Sequence, residues 1–325
     1  MRELLISLVE EALLAPSVHN VQPARWRLET DGVTLFEDKS RRLAIGDPGC
    51  NDAGISLGAA AEGFRLAASA KGWTVQAHQT QPENVPNPLR VVARYKLEQK
   101  DEPDPLSALV HARQSWRRKF VTPTKDDRYA AQKLSAPDAI IASDPEELRN
   151  LARRYDHSSY KFVNDDDFRS ELLGWMRISR RHPDWSRDGL NADAMALGGI
   201  EKLGAALILG PAFRLCHRLG LAPALLKEEA KFKNAAAVIL FHRPRDEDPF
   251  ESGIQFYRLW LSIEAAGFGA TVLAALADDL EASRAIMRDY GIAESRRLVS
   301  SFRIGRRGEE PTPVRARLPL EDVLV

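Results

Sequence analysis

Two stretches of this chain read as copies of one unit, Ile55 to Val75 and Ile254 to Val272. Each is a helix rich in alanine and leucine that ends at a glycine and leads into a strand, as the C-terminal glycine of a helix-to-strand unit predicts. A unit that occurs twice constrains the fold more than any single element, because the chain must then be built from two related halves. Flanking strands fit that scheme. Leu89 to Leu97 forms one in the first half, and Ala235 to Phe241 precedes the second helix as a continuous apolar run of the kind found in a central strand. Trp26 to Phe36 reads as a hairpin because Asp31-Gly32 separates two alternating runs. The three-proline stretch Gln79 to Pro88 is a loop, and the polar connector Gln99 to Pro105 marks the boundary between halves. The fold class is therefore α+β, with residues 1–100 as the first repeat and 101–325 as the second. The second carries a helical insertion over 165–233.

Behind the first amphipathic run, Leu4, Leu5, Leu8, Val9, Ala12 and Leu13, stands Pro16, which stops the helix near Leu14 because it lacks an N–H and restricts its predecessor. The loop that follows, Pro16-Ser17-Val18-His19-Asn20-Val21-Gln22-Pro23, offers a hydroxyl, an imidazole and two carboxamides. Those groups suit the polar edge of a neutral heterocycle. The alternative is a turn in which Ser17 and Asn20 satisfy nearby backbone groups.

Lysine plus arginine and aspartate plus glutamate both number 46, so no global field draws the protein to nucleic acid or acidic membranes. Leu197 to Leu226 is the longest apolar stretch, but Glu201, Lys202, Arg214, His217 and Arg218 interrupt it, and Pro211 breaks it in the middle. It reads as two buried or lid-forming helices. Lys227 to Lys233 reads as a solvated helix surface with Glu to Lys pairs. Cys50 and Cys216 lack metal-ligand spacing, and the N-terminus lacks signal-peptide features. The expectations are a cytoplasmic protein without a metal, an integral membrane segment or a nucleic-acid partner.

Any basic site must be local, and two arginine pairs qualify: Arg113-Gln-Ser115-Trp-Arg117, and Arg315-Ala-Arg317 near the C-terminus. A guanidinium presents a planar fork of donors that matches phosphate oxygens, and a serine hydroxyl adds another donor. Two such clusters can converge on one phosphomonoester. The alternative places Arg113 and Arg117 one turn apart on a solvated helix face and the C-terminal pair in a basic tail.

Taken together, the Pro16 to Pro23 loop, Arg113-x-Ser115-x-Arg117 and the Arg315-Ala-Arg317-Leu-Pro-Leu ending resemble the nitroreductase family of FMN flavoproteins, over most of the chain. The resemblance implies a nitroreductase-like fold with a central antiparallel or mixed sheet flanked by helices. It also implies FMN, with Arg113, Ser115, Arg117, Arg315 and Arg317 on the phosphate and Pro16, Ser17, His19, Asn20 and Gln22 beside the ring and ribityl chain. Gly269 and Thr271 match, loosely, the family's glycine-rich segment near the flavin. Val18 replaces the usual second serine, and Ala24 stands where an aromatic is common.

The order of motifs departs from the ordinary homodimeric members, because here the loop comes first and both arginine motifs lie in the second half. That order resembles the single-chain, Acg-like branch, in which two degenerate copies mimic the dimer. It implies one FMN per chain, an internal pseudo-dimer, and a loop of one half facing the phosphate grip of the other. The activity implied is NAD(P)H-dependent, ping-pong reduction of nitroaromatics, quinones or a related small acceptor. The flavin carries the chemistry and no protein side chain acts as acid, base or nucleophile. The alternative is a protein that sequesters FMN under a helical lid with little or no turnover.

Overall fold

The computed structural model describes residues 1–78, 85–99, 102–198, 209–225 and 227–325. Helix α1 (Arg2–Ala12) precedes the hairpin β1 (Ala24–Leu28) and β2 (Gly32–Asp38), then α2 (Asn51–Ala70), β3 (Trp73–His78) and β4 (Leu89–Gln99). After the connector come α3 (Lys125–Gln132), β5 (Ala139–Ala142), α4 (Pro145–Asn164) and α5 (Asp166–Gly174). A small parallel pair, β6 (Met176–Arg177) and β7 (Leu190–Asn191), follows with short helices at Phe213–Arg218, Ala222–Leu225 and Glu229–Phe232. The chain then runs through β8 (Ala237–Pro244), α6 (Pro249–Ala265), β9 (Gly269–Val272), α7 (Leu280–Asp289) and β10 (Arg296–Gly305).

The order β2–α2–β3–β4 recurs as β8–α6–β9–β10, and the strand orders correspond: β1-β2-β4-β3 in one sheet, β5-β8-β10-β9 in the other. All pairs within these two sheets are antiparallel. The α+β repeat architecture is thus present, with one difference from the expectation of a central sheet. Each repeat closes its own four-stranded sheet, and helices rather than strands form the seam between them. The expected helices over Leu197 to Leu226 are partly seen as the short helices after 212, while residues 199–208 and 226 lie outside the described residues.

Sequence explains the seam. Helix α2 is lined with glycine and alanine on most faces and is buried along nearly its whole length, as a helix apolar all round must be. It packs against α6 at a crossing where neither helix tolerates a side chain. A Cβ on Gly58 would lie 1.9 Å from the Phe250 carbonyl oxygen, and one on Gly253 would lie 2.2 Å from that of Ile55. The same displacement along the chain relates Gly58 to Gly253, Ile55 to Phe250, and the two C-terminal glycines Gly72 and Gly267. Both of those adopt positive φ, 77° and 74°, the left-handed conformation that ends a helix without penalty at glycine. The contact is therefore reciprocal, as in an isologous dimer interface. Side chains are exchanged across it as well: Ile55 packs on the core of the second sheet, while Phe250, Tyr257 and Leu261 join that of the first.

Candidate functional site

The Pro16 to Pro23 loop is held in a conformation that non-glycine residues seldom adopt. His19, Asn20 and Gln22 have φ of 43°, 56° and 52°. Surrounding bonds fix it: Ser17 Oγ accepts from the Gln22 backbone N–H at 3.0 Å, and Ser56 Oγ on α2 accepts from the Val18 N–H at 3.1 Å. Arg41 donates to the Val21 carbonyl and also pairs with Asp188, which Arg177 holds at 2.8 Å. The loop is thereby tied to the segment between β6 and β7.

The Arg113 to Arg117 segment is not a helix, so the reading of the two arginines as neighbours on a solvated helix face is set aside. It lies extended beside β9. Trp116 N–H donates to the Ala270 carbonyl at 2.7 Å, and Thr271 Oγ1 donates to the Trp116 carbonyl. A Cβ on Gly269 would lie 3.2 Å from that of Trp116 and 2.8 Å from Arg307 Cγ, so the close approach requires glycine. Arg113 then stacks on Trp260 at 4.6 Å and donates to the Leu14 carbonyl at 2.7 Å. From the C-terminal segment, Arg317 reaches the Leu13 and Leu14 carbonyls and donates to Asn20 Oδ1 at 3.0 Å. Asn20 in turn donates to the Ala316 carbonyl at 3.1 Å. Arg315 donates to the carbonyls of His111 and Arg113.

These groups surround a cavity of about 400 Å³, within the range of small-molecule sites. Pro16, Ser17, His19, Asn20, Arg113, Ser115, Arg117, Arg315 and Arg317 all line it. Three of the expected residues do not. Gln22 accepts from the Leu318 N–H at 2.9 Å and donates to the Arg187 carbonyl at 2.8 Å, fastening the loop to the C-terminal segment. Gly269 and Thr271 dock the arginine segment, as described above. The polar groups of Gln22 and Thr271 and the space at Gly269 are used by these contacts.

Among the described residues, none of Arg113, Arg117, Arg315 and Arg317 has an ion-pair partner; their hydrogen bonds go to carbonyls and to Asn20. Burial depresses the pKa of each, and Arg113 and Arg315 press Arg317 further, to about 9. Arg117 faces a different neighbourhood, Tyr155 and Glu228. His19 is pushed down to about 4, first by burial and then by Arg117, so it is neutral at physiological pH, and its Nδ1 is enclosed without a partner. The Gln114 Oε1 atom and Arg113 Nε are likewise unpartnered. A concentrated, desolvated positive charge with spare donors is a site for an anion.

The cavity lining also holds residues that the sequence did not single out. Asp52 and Ser56 come from α2, Tyr155 and Phe162 from α4, Phe168 and Leu172 from α5, and Asp278 from the short helix Ala275–Asp278.

No family model matches the chain. Over 82 residues it is 42% identical to a curated protein described as "Putative NAD(P)H nitroreductase acg" from Mycobacterium tuberculosis strain H37Rv. That match covers 25% of this chain and 23% of the relative, so it spans about a quarter of either protein. The same-named protein of strain CDC 1551 matches equally. Similar solved structures include a nitroreductase with bound FMN from Bacteroides fragilis, at 13% identity, 64% of this chain, 91% of that one and a TM-score of 0.36. The FMN-dependent nitroreductase NfnB from Mycobacterium smegmatis, in complex with NADPH, gives 19% identity, 66% and 94% coverage and a TM-score of 0.36. Among the described residues no group of acidic, histidine or cysteine side chains has metal-site geometry, and no helix is long and apolar enough to cross a membrane.

Proposed function

We propose that this chain is an FMN-dependent NAD(P)H oxidoreductase that reduces a small organic acceptor such as a nitroaromatic or a quinone. The observation that carries the reading is the cluster of Arg113, buried, with Arg315 and Arg317, half-buried, which has no carboxylate partner among the described residues and is joined through Arg317 and Asn20 to the Pro16 to Pro23 loop. The donor set fits a phosphomonoester linked to a neutral heteroaromatic ring: guanidiniums at one end, and a hydroxyl, a carboxamide and a neutral imidazole beyond them. Arg113, Ser115, Arg315 and Arg317 would hold the phosphate, and Ser17, His19 and Asn20 would face the ring system. When bound, the flavin supplies hydride transfer between the nicotinamide and the acceptor. The chain binds and orients, and its fixed dipoles and cations favour negative charge on the bound group. Phe162, Phe168 and Leu172 in the lining would exclude water.

A second reading, a protein that holds FMN with little turnover, draws on the helices α4 and α5, which contribute Tyr155, Phe162, Phe168 and Leu172 to the cavity lining. A visible spectrum followed by anaerobic addition of NADPH separates the readings. Yellow protein that bleaches supports the oxidoreductase, and yellow protein that does not bleach supports sequestration. Protein that stays colourless after incubation with FMN refutes both.

A further inference from the structure

Arg117 is set apart from the other three arginines of the cavity. Arg113 and Arg317 both donate to the Leu14 carbonyl, at 2.7 Å and 3.2 Å, and Arg315 donates to the Arg113 carbonyl at 2.8 Å, so those three close on one another. Arg117 instead donates through Nη1 to the Ala194 carbonyl at 3.2 Å, in the segment after β7. The extended chain between Arg113 and Arg117 holds their Cα atoms about 13 Å apart, at about 3.3 Å per residue. With the phosphate assigned to the three that share carbonyls, Arg117 is left over. Its Nε and Nη2 make no hydrogen bond among the described residues, and the side chain lines the cavity.

Around Arg117 the fold is aromatic and short of acids. Tyr155, Ser159, Phe162 and Val163, at helical spacing, turn one face of α4 to the cavity, and Phe168 of α5 packs on Phe162 with ring centroids 5.3 Å apart. Behind Tyr155, the Phe232 ring lies 5.9 Å from it and 5.3 Å from the guanidinium of Arg303. Phe120, close to Arg117 in the chain, covers Arg303 at 5.6 Å. Arg303 is fully buried, with no hydrogen-bond partner at Nε or Nη1. Among the described residues its one ion-pair partner is Glu228, at 4.0 Å, and Lys231 already holds that carboxylate at 2.7 Å. One acid thus answers for Arg303 and Lys231, and none is bonded to Arg117. Burial, and then Glu228, push the Tyr155 hydroxyl up to about 12, so it remains a neutral donor. We propose that Arg117 selects the acceptor by binding a carboxylate carried on an aromatic ring, which lies against Phe162 and Phe168. Aromatic carboxylates are then the acceptor class of the oxidoreductase proposed above, the reading on which this one rests. With Nη1 on Ala194, Nε and Nη2 form the fork of parallel donors that a carboxylate fits.

Calorimetric titration of the full-length protein saturated with FMN, using 4-nitrobenzoate and its neutral isostere 4-nitrobenzamide without reductant, tests it. Nitrobenzoate is expected to bind at least about ten-fold more tightly, the worth of a charge-assisted pair. Arg117→Gln is expected to abolish that preference while FMN affinity stays within about three-fold of wild type. Arg117→Lys, which replaces the fork by a single ammonium, reduces the preference at least about three-fold. Arg288→Gln, exposed on α7, leaves it unchanged. Equal binding of the two probes, absence of nitrobenzoate binding, or a preference that survives Arg117→Gln overturns the proposal. So does a folded Arg117→Gln protein that loses FMN ten-fold or more, because Arg117 then belongs to the phosphate grip. If Arg117→Gln does not fold, the wild-type comparison and Arg117→Lys decide, and an undiminished preference in the lysine variant refutes the role. Wild type that stays colourless with FMN refutes the oxidoreductase reading, and the same titrations on the colourless protein then decide the carboxylate site separately.

Discussion

Replacing Gly58 with alanine tests whether the seam between α2 and α6 shapes the cavity. The new Cβ would lie 1.9 Å from the Phe250 carbonyl oxygen, where an ordinary contact is 3.4–4 Å, and the obstacle is backbone that cannot rotate away. The helices must therefore part by about 1.5 Å at the crossing, loosening the side chains exchanged across the seam. Overpacking of this kind costs about 1–3 kcal/mol, and a backbone obstacle puts this site at the upper end. Alanine's better helix propensity returns about 1 kcal/mol. The net loss, about 2 kcal/mol, corresponds to a fall of roughly 3 °C in melting temperature for a chain of this size. Because α2 supplies Asp52, Ile55 and Ser56 to the cavity and α6 supplies Phe256 and Trp260, ligand affinity should fall in parallel, by at least about ten-fold. Gly174→Ala, where a Cβ meets nothing within 4 Å, is the control and should be neutral or slightly stabilising. Gly253→Ala should reproduce the effect, and the double variant should lose less than the sum, since one separation accommodates both methyl groups. A Gly58→Ala protein that melts within 1 °C of wild type would refute the reciprocal packing.

Arg317→Met should weaken FMN binding by at least about ten-fold, the loss of one buried charge-assisted contact. Without ligand the same variant should melt at or above the wild-type temperature, because it removes a buried cation whose pKa is already depressed to about 9. A variant that melts lower and binds FMN as before would refute the anion-site reading. Asp52 makes a pH prediction whose sign follows from its shift, from 3.8 up to about 7, chiefly by burial and then by Asp47. A carboxyl raised in the folded state contributes stability below its unfolded pKa and loses it as pH rises through the folded value. Wild type should therefore lose stability relative to Asp52→Asn between pH 4 and pH 8. The loss should be on the order of 2 kcal/mol, about half of what a shift of three units represents, because the cavity admits water. Parallel stability curves for the two proteins across that range would refute it.

The Pro16 to Pro23 loop and the arginine segments were legible as parts of one cavity because their residue types are informative wherever they fold. A proline that stops a helix and arginines spaced around a serine carry their chemistry into any context. The seam was half legible: the sequence showed two copies of an alanine-rich helix ending at glycine, but not that the two helices pack on each other. Gln22, Gly269 and Thr271 were drawn toward the ligand by resemblance, while their hydrogen bonds and close approaches serve the scaffold. Asp52 and Asp278 left no trace. In sequence the first is an ordinary acid in a helix's first turn, and the second adjoins Asp279, which caps α7 by accepting from the Glu281 N–H. Only the fold shows that both face one space without a partner.

The same displacement that relates Gly58 to Gly253 carries Tyr257 to Glu62 and Trp260 to Arg65, and this pair of substitutions argues for one ligand per chain. In the second half, Tyr257 and Trp260 form an aromatic nest under Arg113, whose charge is left without an acid. In the first half, Glu62 and Arg65 close a network with Asp104 and Arg258: Arg65 and Arg258 each reach Glu62 at 2.7 Å and Asp104 at 2.8 Å. Burial works to raise the pKa of Asp104, but hydrogen bonds from the two arginines override it and hold the carboxyl down at about 2. Two acids and two arginines neutralise each other there, so nothing calls for an external anion. The halves thus share a seam and differ in charge, which leaves one anion site facing one loop. Flavin released from denatured, saturated protein should measure one per chain, and two per chain would show that the closed network does not exclude a second.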